Sequence, residues 1–338
     1  MTLRDQLLTV LHGGKADRVP FTCYEGLVPE GGWEIENLTV VGSAPAFAVD
    51  TPGVEGSRRE IRTNLYEDTL TTPWGTLTQI VEVEQGYGSH WSREHLIKGP
   101  GDYAIMAEMV RHSRLTPDYD AVRAAVEHIG DRGVVIQWAQ RTPFQRVWIE
   151  CAGIERMSLD MFDAPEAVDN LIDAYTEQQR EAFAILAESP AEIVWLGDNV
   201  TGEIAGPGVF EKYLIPYYRM ACDILLPAGK LPVCHMDGML RQVADCIART
   251  DLPVMEAFTP PPDGNFSVRD ARARWPEKVL WLNFPSSVHM SPPEKIERVT
   301  RQLVEEAGTG EGFAVGITEN MPADVALRSM QAIGRALS

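Results

Sequence analysis

The chain lacks most of the features that assign a protein at sight. Cysteine is sparse: Cys23, Cys151, Cys222, Cys234 and Cys246 are odd in number, irregularly spaced and never in a CxxC pair. That argues against a disulfide framework and suits a reducing compartment. Positive charge is in deficit, with 30 Lys and Arg against 49 Asp and Glu and a formal net charge of -19. Such a surface repels polyphosphates, because nucleic-acid affinity rests on Lys and Arg neutralising phosphates. Nucleic acid and anionic membrane are both disfavoured as partners. No apolar run approaches the roughly 20 residues of a membrane helix. The opening Met1-Thr2-Leu3-Arg4-Asp5-Gln6-Leu7-Leu8 has charges where a signal peptide needs an apolar core. The expected location is cytoplasmic. Nucleophile elbows, Walker A loops, Gly-rich dinucleotide fingerprints and HExxH motifs are absent too.

What is present is a chain of 338 residues, 44% hydrophobic, long enough for one large α/β barrel or two ordinary domains. Apolar residues at helical spacing predict a first helix over Leu3 to Leu11, closed by Gly13-Gly14. Asp17 to Tyr24 reads as a first strand. From Glu25 to about Lys98 helical periodicity fades, and segments such as Leu77 to Val83 alternate like an exposed strand. A structureless loop of that length is improbable, so this stretch is expected to be a partly β excursion that caps the remainder. Beyond Pro100 helical stretches (120–129, 165–187, 208–226 and 293–307) alternate with short apolar runs. Those runs are 133–137, 192–196, 231–235, 253–258, 279–284 and 312–318. Strands separated by helices imply a parallel sheet. With the first strand there are seven candidates and an eighth left unplaced. The expected fold is a (β/α)8 TIM barrel, one domain over 1–338 with an inserted cap at about 25–98. A doubly wound sheet fits less well, since no Gly-rich fingerprint follows an early strand.

Active sites of such barrels lie at the C-terminal ends of the strands. Four strand ends carry polar residues: His235 and Asp237, Glu256, Glu319, and Asp198 with Asn199. A carboxylate at an apolar strand end needs a cation, a donor or a metal. One His with carboxylates from adjacent strands suits a divalent metal, zinc first. Spacing alone leaves plainer readings open. His235 alone reads as a hydrogen-bonded rim residue, Glu256 and Glu319 as ion-pair partners, and Asp237 as a helix N-cap. Cys234 alternates to the opposite face from His235 and reads as packing. His90 and His95, near Tyr87 and Trp91, read as surface residues of the excursion. Trp74, Trp91, Trp138 and Trp148 are aromatic candidates for a pocket or for the core. Arg141 follows a strand end and suits an anion or an ion pair.

The order of residues resembles the uroporphyrinogen decarboxylase-like superfamily. The likeness lies in Gly197-Asp198-Asn199, in Gly206 to Tyr218, in His235-Met236-Asp237-Gly238, and in Gly316 to Pro322 before a last helix. Lys15 to Pro20 fits too. The resemblance implies either decarboxylases or corrinoid-linked methyltransferases. Haem-pathway decarboxylases carry an Arg-rich segment of the type Met-Arg-Gln-Ala-Gly-Arg. Here that region is Tyr24-Glu25-Gly26-Leu27-Val28-Pro29, without arginine. Thiol-methylating members bind zinc through His-x-Cys and a later Cys, with a Glu between them in methionine synthase. In this chain His235 matches the His, Asp237 stands at the first Cys, Glu256 matches the Glu, and Glu319 stands near the last Cys. Oxygen and imidazole donors leave a metal a harder Lewis acid, suited to polarising an ether oxygen.

The resemblance therefore implies the methyltransferase component of an O-demethylase. It would move a methyl group from a methoxylated substrate, first an aryl methyl ether, to cobalamin or another corrinoid on a partner protein. His235, Asp237, Glu256 and Glu319 are the expected zinc ligands. Asp198 and Asn199 are the expected catalytic residues, and Tyr24, Trp138 and Arg141 the substrate-binding ones. A homodimer is compatible with this reading. The alternatives are a metal-independent decarboxylase or lyase acting on a small acid through Asp198 or Arg141, and a non-catalytic barrel that binds a small molecule or a partner.

Overall fold

A computed structural model describes residues 1–84 and 89–338; Tyr87 lies outside the described residues. The chain divides into two compact units, each discontinuous in sequence. No helix among the described residues is long and apolar enough to cross a membrane.

The first unit, Met1–Ala46, Asp118–Ala139 and Phe183–Ser338, is a closed barrel of eight parallel strands. These are β1 (Phe21–Tyr24), β2 (Leu38–Ala44), β3 (Gly133–Ala139), β4 (Ile193–Leu196), β5 (Leu231–His235), β6 (Val254–Phe258), β7 (Val279–Asn283) and β8 (Phe313–Ile317). The barrel closes where β1 pairs with both β8 and β2. The expected TIM barrel is present, with one correction. Strand β2 lies inside the stretch read as an excursion, so the excursion follows the second strand, not the first. The link from β1 to β2 is made of two 3-10 turns, Glu25–Leu27 and Gly32–Glu34. Without a crossover helix no 3.6-residue period marks the connection, and the eighth strand passes unnoticed in the sequence.

Alternation along the strands builds the barrel interior. Val134 and Ile136, Leu231 and Val233, Ile193, Val254, Val279, Trp281, Val41 and Ala314 form one buried cluster. The N-terminal helix Leu3–Leu11 closes that cluster with Leu7, Val10 and Leu11. It starts at a capping box in which Thr2 and Asp5 bond each other's backbone, an arrangement worth about 1 kcal/mol. Each fully buried Leu or Val adds about 1.5–3 kcal/mol. Tyr24 and Trp195 pack on the cluster as partly buried residues, so their polar tips mark where the apolar core ends.

The second unit comprises Phe47–Pro117 and Gln140–Ala182. It holds a four-stranded antiparallel sheet (Glu55–Arg62, Leu65–Thr72, Gly75–Val83, His90–Glu94) and a two-stranded one pairing Phe47–Asp50 with Arg114–Pro117. The expected alternation at 77–83 is real, with Leu77 and Val81 facing inward. The edge strand Glu55–Arg62 is exposed throughout and paired to its neighbour by Arg58–Asp68 and Arg59–Glu67. Charge on an edge discourages sheet-to-sheet aggregation.

One buried imidazole gives the barrel unit an acid sensitivity. His289 sits in the short turn Ser286–Met290 with its Nδ1 2.6 Å from Ser329 Oγ and its ring against Phe284. Burial pushes its pKa from 6.5 down to about 4. The folded value lies below the unfolded one, so this contribution to stability is complete above pH 6.5 and is lost as pH falls through about 4. Urea unfolding at pH 7 and pH 4.5 should show a loss from this ring of about 2 kcal/mol. His289→Gln should flatten the acid slope by that amount; an unchanged slope would assign the sensitivity to another group.

Candidate functional site

On four strands the inward face carries apolar residues low in the barrel and a polar or aromatic residue at its C-terminal end. On β5 the series is Leu231, Val233, His235; on β6, Val254, Glu256; on β4, Ile193, Trp195; on β3, Val134, Ile136, Trp138. A period of two puts every member of a series on one face. Parallel register then makes His235 the neighbour of Glu256, and Trp195 the neighbour of Trp138. Four chain segments far apart in sequence thus deliver their polar ends to one place.

Glu256 is the centre of that place. Its carboxylate is fully buried, and both oxygens are occupied. Tyr24 donates its hydroxyl to Oε1 at 2.7 Å, Trp195 donates Nε1–H to Oε2 at 2.7 Å, and His235 Nδ1 lies 2.8 Å from Oε2. The Trp195 ring also meets the imidazole edge-on at 5.4 Å. Beyond the imidazole, Nε2 is 3.6 Å from Asp237 Oδ2, which accepts a hydrogen bond from Asn199 at 3.2 Å. Burial pulls the pKa of His235 down. The charge of Glu256, the nearby Asp237 carboxylate and the hydrogen bond to Glu256 outweigh it and raise the value to about 10. Burial and the charge of Glu256 hold the Tyr24 phenol well above its ordinary range, so it is a permanent donor at neutral pH.

The backbone is shaped for this arrangement. The register of β6 against β7 shifts between Glu256 and Phe258, and Ala257 there takes φ +53. A positive φ costs an alanine roughly 1–2 kcal/mol. A bulge turns a side chain out of the regular pleat. The distorted turn is held by Met236 N–H donating to Glu256 O and Thr259 Oγ donating to Ala257 O. On β4 the Trp195 ring folds back over Gly197, where a Cβ would stand 2.4 Å from the ring; only glycine leaves the indole room.

Other expected site residues lie differently. Asp198 is buried beside Tyr218, whose hydroxyl donates to it at 2.8 Å, with Cys234 Sγ at 4.0 Å. Cys234 alternates with His235 on β5, so these contacts belong to the outward side of that strand. Glu319 is exposed and accepts from Ser286 Oγ at 2.7 Å and Asn283 Nδ2 at 3.5 Å. Trp138 is 51% exposed, its ring 6.2 Å from that of Trp195. Arg141 belongs to the second unit, where its Nε lies 3.4 Å from Glu150. Trp195 escaped the sequence reading because a tryptophan within Ile193-Val194-Trp195-Leu196 looks like core filling; its inward alternation with Ile193 was the available signal. Asn283, buried against Thr259 and Thr318, was missed as well, at the end of β7.

Among the described residues no three His, Cys, Asp or Glu side chains converge as a metal-ligand set. Glu256 is occupied by three donors, and Glu319 is bonded to Asn283 and Ser286. The pair that does face one another is His235 Nε2 and Asp237 Oδ2. An imidazole and a carboxylate fit a divalent ion such as zinc in kind. Glu256 then stands where a carboxylate orients a metal-bound imidazole through its other nitrogen.

A closed parallel barrel with a buried carboxylate–imidazole pair at its C-terminal end defines the general class of the protein. Residues 70–337 match the uroporphyrinogen decarboxylase (URO-D) family, and the chain belongs to that family. No curated protein matches the chain. Among solved structures it resembles a methyltransferase from Methanosarcina mazei, with TM-score 0.61 and 12% identity over 99% of this chain and 98% of that one. A putative vitamin-B12 independent methionine synthase from Listeria monocytogenes gives TM-score 0.43 and 14% identity over 62% and 65%. A pneumococcal exo-beta-D-N-acetylglucosaminidase gives TM-score 0.44 and 10% identity over 94% and 84%. The first of these shares the fold.

The contact between Gly197 and Trp195 is open to a coupling test. Gly197→Ala should destabilise the protein by about 1–3 kcal/mol through overpacking. Trp195→Phe alone loses the hydrogen bond to Glu256; made on the Gly197→Ala background it also relieves the collision, so it should cost less there than in wild type. Additive effects of the two substitutions in urea unfolding would show that the indole does not need the glycine.

Proposed function

We propose that the protein transfers a methyl group from a methoxylated compound, an aryl methyl ether first, to a reduced corrinoid carried by a separate protein. The observation that carries this reading is the His235 imidazole, gripped from behind by the buried Glu256 and facing Asp237, with the exposed Trp138 ring beside Trp195. The methyltransferase whose fold the chain shares along its length is in keeping with it.

The chain's own residues have separable tasks. Glu256 accepts from Nδ1 of His235, which fixes the ring and leaves Nε2 as its working nitrogen. Tyr24 and Trp195 keep the Glu256 carboxylate in place. Trp138 offers a flat apolar face for an aryl ring. When the cobalt(I) of the corrinoid attacks the methyl carbon, the electron pair of the C–O bond stays on the departing oxygen. His235, held cationic by its two carboxylates, can give that oxygen its Nε2 proton. Zinc, if held by His235 and Asp237, would supply Lewis acidity toward the same oxygen.

The test is demethylation of methoxylated aromatics with cob(I)alamin as acceptor, beside metal analysis of the purified protein. Wild type should yield methylcobalamin. His235→Ala should lower the rate by at least about 100-fold, and Glu256→Gln by about 10–100-fold. The metal analysis separates the two roles of Nε2: zinc near one per chain, lost in both His235→Ala and Asp237→Ala, would assign Nε2 to the metal, and no bound zinc would leave it as the proton donor. Release of CO2 from a small acid, with no methyl transfer to any acceptor, would move the decarboxylase reading to the front.

A further inference from the structure

Strands β4 and β5 run out into two loops, residues 197–206 and 236–240, and these loops are laced together. Gly238 N–H donates to Val200 O at 3.2 Å, Gly202 N–H to Met239 O at 2.8 Å, and Met239 N–H to Thr201 Oγ at 3.3 Å. Val200, Met236 and Leu240 bury their side chains beneath the seam. A Cβ on Gly238 would stand 2.4 Å from Val200 O and 2.6 Å from Thr201 Cβ. Neither atom is the free end of a flexible side chain, so only a bare backbone lets the loops come this close. Both flanks are fixed as well. Met236 N–H donates to Glu256 O, and the buried Asp198 accepts the Tyr218 hydroxyl at 2.8 Å.

The seam carries Asn199 to Asp237. Asn199 Nδ2 donates to Asp237 Oδ2 at 3.2 Å, and that same oxygen lies 3.6 Å from His235 Nε2. A hydrogen-bonded imidazolium and carboxylate close to about 2.7–2.9 Å, and a separation of 3.6 Å is no hydrogen bond. The other side of the ring shows the closed form, with Nδ1 2.8 Å from Glu256 Oε2. Two carboxylates therefore flank one imidazole, one in contact with it and the other short of contact. Their charges attract the ring alike, and both Asp237 and His235 are largely shielded from water, with side chains 21% and 11% exposed. Asp237 turns about its own side-chain bonds at little cost, so a gap that persists needs a restraint. The amide of Asn199, held by the laced loops, is that restraint.

We propose that Asn199 is a positioning residue that holds Asp237 short of His235, so that Nε2 stays open to the departing oxygen of the substrate. The use made of Nε2 rests on the methyl-transfer reading; the spacing does not. In a closed pair the Nε2 proton would be bound to Asp237, and the departing oxygen would have to displace a carboxylate to receive it. In the open pair the proton faces the site, while Asp237 remains near enough to stabilise the charged ring. Asn199 acts on the reaction only through Asp237.

Imidazole N–H resonances of the full chain, labelled with 15N-histidine, treated with a chelator and recorded at pH 7, test the spacing; His235→Gln assigns the ring. Wild type should show a protected Nδ1–H, bonded to Glu256, and no Nε2–H, which exchanges with water. Asn199→Ala should keep the Nδ1–H and gain a protected, downfield Nε2–H as Asp237 closes on the ring. The Nδ1–H reports that the site has folded, and if Asn199→Ala lacks it, Asn199→Ser carries the same expectation. In turnover of methoxylated aromatics with cob(I)alamin, Asn199→Ala should lower kcat by about tenfold or more and leave KM unchanged. A protected Nε2–H already in wild type, none in a variant that keeps its Nδ1–H, loss of the Nδ1–H in both variants, or an unchanged kcat would overturn the proposal. Should wild type methylate no corrinoid, the methyl-transfer reading fails, and the ring spectra still decide the spacing.

Discussion

A carboxylate buried among apolar strands is the constraint on which the rest of the site depends. Glu256 has no water to solvate it, and an uncompensated charge in that position costs several kcal/mol. Compensation comes from three donors on three other strands, Tyr24 on β1, Trp195 on β4 and His235 on β5. Only a closed barrel brings strands so distant in sequence to one end of a shared interior. The bulge at Ala257, the bare backbone at Gly197 and the inward alternation of β5 then follow as parts of one requirement. Each keeps a donor or an acceptor within hydrogen-bond reach of the same two oxygens.

The cationic imidazole is a consequence of that requirement rather than a separate feature. A neutral His235 would leave Glu256 with neutral donors only, and Asp237 facing a ring with no second proton to give. Protonated, the ring satisfies a carboxylate at either nitrogen. The same arrangement makes Nε2 the point at which proton, metal and substrate compete, because Nδ1 is already committed. That commitment is what a reaction at Nε2 needs, since a ring fixed through one nitrogen presents the other without a search among rotamers.

Much of this was legible in the sequence, and the boundary of legibility has a physical form. Strands β3 to β8 announce themselves as short apolar runs between helices, and His235 and Glu256 as polar residues closing such runs. These residues lie within strands, where a period of two fixes the side-chain direction. Asp198 and Glu319 lie beyond the last strand residues, Leu196 and Ile317, where the loop path decides. Asp198 accordingly meets Tyr218, while Glu319 bonds Ser286 and Asn283. Strand β2 was hidden because its crossover holds 3-10 turns instead of a periodic helix. Trp195 was hidden because its indole serves as core filling and hydrogen-bond donor at once, and composition registers only the first.

The helix Ile154–Asp163 marks a different limit. Its sequence is amphipathic, and amphipathicity alone predicts that Ile154, Met161 and Phe162 face inward. The helix is instead rotated so that Met157 and Asp160 are buried, and Arg156 pairs with Asp160 so that its buried carboxylate is not stranded, while Glu155 and Asp163 stay in water. Periodicity fixes which residues share a face. Which face turns inward is a property of what the neighbouring elements can satisfy.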